Sequence, residues 1–191
     1  DDHNYSYLAS RSGNTLADRV AKHVLSNLHP HYNSYSYLER GSDERQYCSP
    51  GVDLPLVVLM RTKYGEYAEY HTSLDNLDFI SPKGLFGGYD VVKKCIECIE
   101  ANETLTTTVL CEPQLGRRGL YPTLSTKQSR FIVRDMMNLI AYCDGTADLI
   151  GIADRIGVPL WNLFEIVTNL KESGLLLPIS EFSIKSEQKY L

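Results

Sequence analysis

The residues of this chain best suited to chemistry lie between Gly41 and Leu77. An acidic pair, Asp43 and Glu44, sits in a polar turn, and Tyr47 follows it. An apolar run over residues 54–60 comes next, and a tyrosine-rich segment (Tyr64, Tyr67, Tyr70) then delivers His71, Thr72, Asp75 and Asp78. Adjacent carboxylates are suited to acid/base work. Gly-Ser-Asp-Glu is equally an ordinary turn followed by a helix start, and the two readings stand side by side. On composition alone, His71 reads as a solvated loop histidine or as one hydrogen-bonded within the tyrosine cluster. Asp75 and Asp78 suit turn and helix caps, and Thr72 suits folding of the loop.

The elements around these residues must hold them. Residues 54–60 predict a strand buried on both faces. The loops before and after it are expected to open on one edge of a sheet, where ligands of open α/β sheets bind beyond the carboxyl ends of the strands. Upstream, residues 5–8 and 35–38 read as short strands. Gly13-Asn14-Thr15 is a turn that caps a helix reaching about Leu28, with Leu16, Val20, His23, Val24 and Leu28 at helical spacing. Downstream, a helix starting at Leu85 or Tyr89 and ending at Ala101 precedes a β-branched stretch at 106–110 that reads as a strand. Strands alternating with helices predict an α/β layer structure with a largely parallel sheet.

After Pro122 the pattern becomes helical. Helices are expected over residues 131–143, 148–156 (capped by Thr146) and 160–173 (opened by Pro159), with Gly157 and Gly174 as turns. Residues 175–177 and 179–184 are expected to form a hairpin wing. Helix, helix, Gly-turn, helix, Gly and a Leu-rich strand match a winged helix-turn-helix. From 126 to 177 there are five basic and six acidic residues. The third helix presents Trp161, Asn162, Glu165, Asn169, Lys171 and Glu172, which is poor in the cations that bind phosphate. A packing role, against the preceding domain or a second copy of the chain, is expected ahead of nucleic-acid binding.

Composition narrows the classes further. The chain has 191 residues, of which 43% are hydrophobic and 23% charged, enough for a normal core. A net charge of −5 disfavours anionic partners such as nucleic acid or acidic lipid, and no apolar run is long enough to span a bilayer. Five scattered cysteines suit reduced thiols in a cytoplasmic protein. Cys95 and Cys98 form a C-x-x-C at helical spacing among apolar residues, which predicts two small core residues rather than a redox or zinc pair.

Taken as an ordered series, these segments are familiar. Ser-Asp-x, Gly-x-x-x-Pro with a hydrophobic strand, and Tyr70-His71-Thr72-x-x-Asp75 resemble the last third of the two-metal zinc aminopeptidases. Ser12-Gly13-Asn14-Thr15-Leu16-Ala17-Asp18 and the segment from Cys111 to Gly119 are similar to the aminopeptidase-like proteins encoded beside bacterial polysaccharide genes, which end in a winged helix. The resemblance implies a partial three-layer α/β aminopeptidase-like domain over residues 1–122 and an all-α winged helix-turn-helix domain over 123–191. It implies zinc as cofactor, His71 as a metal ligand, and a peptide or aminoacyl substrate met by Asp43, Glu44 and Tyr47. In the resembled chemistry, two zinc ions roughly 3.5–4 Å apart polarise the scissile carbonyl and lower the pKa of a bridging water.

The family often has Ser-Asp-His where this chain has Ser42-Asp43-Glu44. Its other metal ligands and its catalytic glutamate lie upstream of the segments matched here. The chain therefore reads as the C-terminal portion of a metallohydrolase, inactive alone. The alternative is a non-catalytic module that uses the peptidase-like scaffold and winged helix for protein association.

Overall fold

The computed structural model describes residues 3–120 and 127–180. The chain divides into two compact units between Ile99 and Glu100. The expected boundary at 122/123 comes too late, because the strand after the long helix belongs to the second unit.

In the first unit, β1 (Ser6–Leu8) pairs in parallel with β2 (Asn33–Tyr35) and antiparallel with β3 (Val58–Met60), giving the order β2-β1-β3. The described sheet is thus mixed, where a largely parallel one was expected. β1 is central and fully buried. Between β1 and β2 runs α1 (Leu16–Leu28), opened as expected by Thr15 in a reciprocal capping box with Asp18. Val20, Ala21, Val24 and Leu25 form its core face. The second strand ends earlier than expected, since Ser36 and Glu39 form another capping box that turns residues 37–39 into a single 3₁₀ turn. α2 (Glu44–Tyr47) is one turn long.

The apolar run at 54–60 is not a strand buried on both faces. Only Val58–Met60 pair, as an edge strand that is half-buried, and Leu54 is exposed. Pro55 lacks the N–H that a ladder needs. The Cys48 thiol donates to the carbonyls of Leu54 and Leu56, at 3.4 Å each, ahead of the paired residues.

The helix α3 (Pro82–Ala101) starts earlier than expected, where Ser81 Oγ accepts from Gly84 N at 2.9 Å. One face buries Gly84, Gly87, Val91, Cys95 and Cys98, so both cysteines are core residues as expected. Its opposite face leaves Leu85, Phe86, Tyr89, Val92, Ile96 and Ile99 exposed.

In the second unit, β4 (Thr104–Thr107) is the centre of a three-stranded antiparallel sheet in the order β5-β4-β6. Its partners are β5 (Asp144–Asp148) and β6 (Leu176–Pro178). The helical part therefore carries one strand, β5, that the pattern from 126 onward did not announce, whereas β6 overlaps the strand expected at 175–177. α4 (Lys127–Tyr142), α5 (Leu149–Ile156) and α6 (Phe164–Glu172) supply the three helices. Asp148, rather than Thr146, caps α5, accepting from Gly151 N at 3.0 Å. Residues 160–162 form a separate 3₁₀ turn ahead of α6, with Pro159 as its N-cap. Leu139, Ile150, Leu160, Leu163, Leu170 and Leu176 fill the core. β6 pairs with β4, and residues 181–184 of the expected hairpin lie outside the described residues.

Among the described residues no helix is long and apolar enough to cross a membrane.

Candidate functional site

Of the acidic pair, Glu44 is buried and Asp43 is exposed. Asp43 takes the N-cap position of α2 without a side-chain capping bond, and its carbonyl accepts from Gln46 N and Tyr47 N. The turn-and-helix-start reading is therefore what the backbone does. Tyr47 is 48% exposed.

Glu44 uses its two oxygens differently. Oε1 accepts from Gly41 N at 2.6 Å, Ser42 N at 3.1 Å and the Tyr64 hydroxyl at 2.8 Å. Oε2 is buried and has no hydrogen-bond partner among the described residues. Burial alone would raise the Glu44 carboxyl, but the N–H groups of Ser42 and Gly41 and the Tyr64 hydroxyl hold it below the ordinary glutamate value. Glu44 is thus an ionised, buried carboxylate at neutral pH, with its hydrogen bonds gathered on one oxygen. Burial and the bond to Glu44 push the Tyr64 phenol up to about 12, so it remains a donor.

His71 is exposed, and its backbone is in the left-handed region, φ 59°. Its ring stacks on Tyr70, with centroids 4.0 Å apart and planes 16° off parallel. Tyr70 in turn meets Tyr67 edge-on at 5.7 Å and Tyr64 at 6.2 Å, and Tyr67 stacks on Phe79 at 5.5 Å. Thr72 folds the loop as expected: its hydroxyl donates to Glu69 O at 2.7 Å and accepts from Leu74 N at 3.2 Å. Asp75 and Asp78 are exposed.

The loops carrying these residues do not leave one edge of the sheet. The Asp43–Tyr47 segment follows the carboxyl end of β2, whereas the His71 loop follows the carboxyl end of β3. Because β3 runs antiparallel to β1, which runs parallel to β2, these ends lie at opposite edges. Tyr64 reconnects them through its bond to Glu44 and its ring contact with Tyr70.

Among the described residues no group of three or more His, Cys, Asp or Glu forms a metal site. His71 is a single imidazole, and the Glu44 carboxylate is held by backbone amides and a phenol. These residues do not by themselves fit a zinc ion, which needs three or four ligands.

Two buried polar residues escaped the sequence reading. Lys63 is only 9% exposed; its ammonium donates to Tyr64 O at 3.3 Å and lies 4.5 Å from the Tyr64 ring centroid and 5.2 Å from that of Tyr35. A lysine just beyond an apolar run ordinarily marks the return to solvent, so its type gave no signal. Asp18 is fully buried and accepts from the Tyr7 hydroxyl, from Ser10 N at 2.9 Å and its hydroxyl, and from Thr15 N at 2.8 Å and its hydroxyl. The signal was its place three residues after Thr15, which announces a cap but not the other partners.

The second unit holds a separate cavity of about 380 Å³, lined by Leu149, Phe164 and Val167 with Glu103 and Lys171 among its polar residues.

Residues 1–102 match a family described as a domain of unknown function, DUF4910. Residues 103–178 match a winged helix-turn-helix family. These matches meet close to the observed division of the chain. A Clostridium acetobutylicum protein named for polysaccharide biosynthesis and an aminopeptidase-like domain is 36% identical over 155 residues, covering 80% of this chain and 36% of its own length. A solved structure from Clostridium acetobutylicum, assigned by its description to the peptidases, superposes with a TM-score of 0.83 at 30% identity. That match covers 94% of this chain and 40% of the solved one. The chain thus spans well under half the length of either relative.

Proposed function

The chain belongs to the DUF4910 family and, with its relatives, to the aminopeptidase-like proteins; from that premise we propose that it is the C-terminal portion of a zinc-dependent metallohydrolase acting on peptides or aminoacyl compounds. One observation supports this reading: ring contacts run from His71 to Tyr70 and from Tyr70 to Tyr64, whose hydroxyl donates to the buried Glu44 carboxylate. His71 is assigned as a metal ligand. Glu44, Asp43 and Tyr47 are assigned to the substrate, with Glu44 Oε2 suited to a cationic or N–H group. A zinc site would need its remaining ligands from polypeptide beyond the matched portion, which makes this chain inactive by itself. Four buried free thiols and one exposed one suit a reducing, cytoplasmic setting.

The test is His71→Ala in a longer protein that contains this chain, assayed on aminoacyl amides. Loss of turnover together with loss of bound zinc is expected. Unchanged turnover would remove His71 from the site.

A second reading has its own support. On α3, the exposed residues Leu85, Tyr89, Val92, Ile96 and Ile99 alternate in steps of four and three, the spacing of a helix-pairing seam. Exposed apolar stripes of this kind mark association surfaces. This favours a protein-association module, with a second copy of the chain or another polypeptide on that stripe. Light scattering on the purified chain separates the two: a dimer abolished by Val92→Glu and Ile96→Lys supports the module, and a monomer opposes self-association.

A further inference from the structure

The two loops of the proposed site diverge from opposite edges of the sheet, yet one side chain touches both. The Tyr64 hydroxyl donates to Glu44 Oε1 at 2.8 Å, and its ring centroid lies 6.2 Å from that of Tyr70, the residue on which His71 stacks at 4.0 Å. Gly41 leaves room for this arrangement, since a Cβ there would come within 2.6 Å of Tyr64 Cε2. The Lys63 ammonium lies 4.5 Å from the same ring centroid. From this geometry we infer that Tyr64 is the positioning residue of the site, its hydroxyl orienting the Glu44 carboxylate and its ring, through Tyr70, setting the His71 imidazole.

The division of labour follows from the atoms. Three donors saturate Oε1, which fixes the rotation of the carboxylate and turns its partnerless oxygen, Oε2, in one direction. Two of those donors are backbone amides of the same turn, so among the described residues it is Tyr64 that ties the carboxylate to the distant loop. Its phenol stays protonated well above neutral pH, so the tie does not lapse under physiological conditions. On the other side, an exposed imidazole has no buried partner to orient it among the contacts described, and the aromatic stack limits its freedom. The inference rests on the reading of His71 and Glu44 as site residues, and it adds the residue that places one with respect to the other.

The hydroxyl and ring can be removed separately. Tyr64→Phe keeps the ring and loses the donor, whereas Tyr64→Leu loses both. In the whole 191-residue chain, carbon-detected NMR follows the Glu44 carboxyl, and the ring resonances report His71. Tyr64→Phe is expected to shift the Glu44 carboxyl resonance and leave the His71 ring resonances in place. Tyr64→Leu is expected to shift both. Tyr70→Leu, which spares the Glu44 tie, is expected to move His71 alone and serves if Tyr64→Leu does not fold. A His71 ring unmoved by loss of the Tyr64 or Tyr70 ring, or a Glu44 carboxyl unmoved by Tyr64→Phe, overturns the inference. Zinc added to a longer protein that contains this chain tests the underlying reading separately: zinc that binds there and leaves the His71 ring unperturbed argues against a ligand role, while the resonance pattern still decides what Tyr64 does.

Discussion

The Lys171 ammonium lies 2.8 Å from Glu103 Oε1 and 2.9 Å from Oε2, tying the last turn of α6 to the residue that leads into β4. Lys171 is the only lysine or arginine of α6, which also carries Glu165 and Glu172. The helix that would face a major groove therefore has its one cation committed within its own unit. Phosphate contacts by free lysines and arginines supply most non-specific affinity for DNA. A mobility-shift assay at low salt is expected to show no micromolar binding. Micromolar binding that weakens steeply with salt would restore a nucleic-acid role for the winged helix.

Asp18 is expected to dominate the pH dependence of stability at the acid end. Burial would raise its carboxyl, but hydrogen bonds from Ser10, Thr15 and Tyr7 together hold it below the ordinary aspartate value. A carboxyl with a lowered folded value stabilises the fold fully above its unfolded value, near ~3.9. That contribution is lost as pH falls from there through the folded value. Asp18→Ala leaves buried donors on Tyr7 and Ser10 without their acceptor. It is expected to cost on the order of 3 kcal/mol in urea unfolding at pH 7 and to flatten the profile below pH ~4. A loss under about 1 kcal/mol would show that water replaces the carboxylate.

Two neighbouring glycines of α3 should respond oppositely to alanine. At Gly87 a Cβ would run into the Tyr5 hydroxyl and lie 2.8 Å from Arg61 Nη1, whereas at Gly88 it meets nothing within 4 Å. Alanine improves helix propensity by about 1 kcal/mol at either place. Overpacking costs about 1–3 kcal/mol at Gly87 only. Gly88→Ala should thus stabilise by up to about 1 kcal/mol, and Gly87→Ala should destabilise by about 1 kcal/mol net. Equal effects in denaturant melts would contradict the close approach of α3 to Tyr5.

Thiol chemistry gives a further check. Burial pushes the thiols of Cys95, Cys98 and Cys143 up, those of Cys95 and Cys143 to about 12 and that of Cys98 to about 11. Cys48 is also buried, whereas Cys111 is exposed. A disulfide reagent at pH 8 is expected to label Cys111 rapidly and the others only on unfolding. Rapid native labelling of Cys95 or Cys98 would revive a redox role for the C-x-x-C.

These residues also show what the sequence could carry. Thr15 opening α1, the small core cysteines of α3 and the glycine turns of the winged helix were legible because a helix's signals lie within one or two turns of one another. Pairing is not local in that sense. Thr104–Thr107 has the β-branched composition of a strand, but nothing within it says that its partners lie at 144–148 and 176–178. The tetrad Leu54-Pro55-Leu56-Val57 looks like strand and is not, because its position beside Cys48 and its proline outweigh its hydropathy. The site divides along the same line. Gly41-Ser42-Asp43-Glu44 was visible as a turn with an acidic pair, but burial of Glu44 depends on Tyr64, twenty residues away. Composition cannot reveal that one carboxylate of a pair is buried and the other exposed.

If, as proposed, His71 is one ligand of a metal site that this chain does not complete, the chain alone binds zinc only weakly. Calorimetric titration of zinc into the purified chain, followed by an aminoacyl-amide assay of the same sample, tests it most directly. No tight stoichiometric binding and no turnover are expected, since among the described residues no three metal-ligating side chains converge. Tight one-to-one or two-to-one zinc binding with hydrolysis by the chain alone would contradict it.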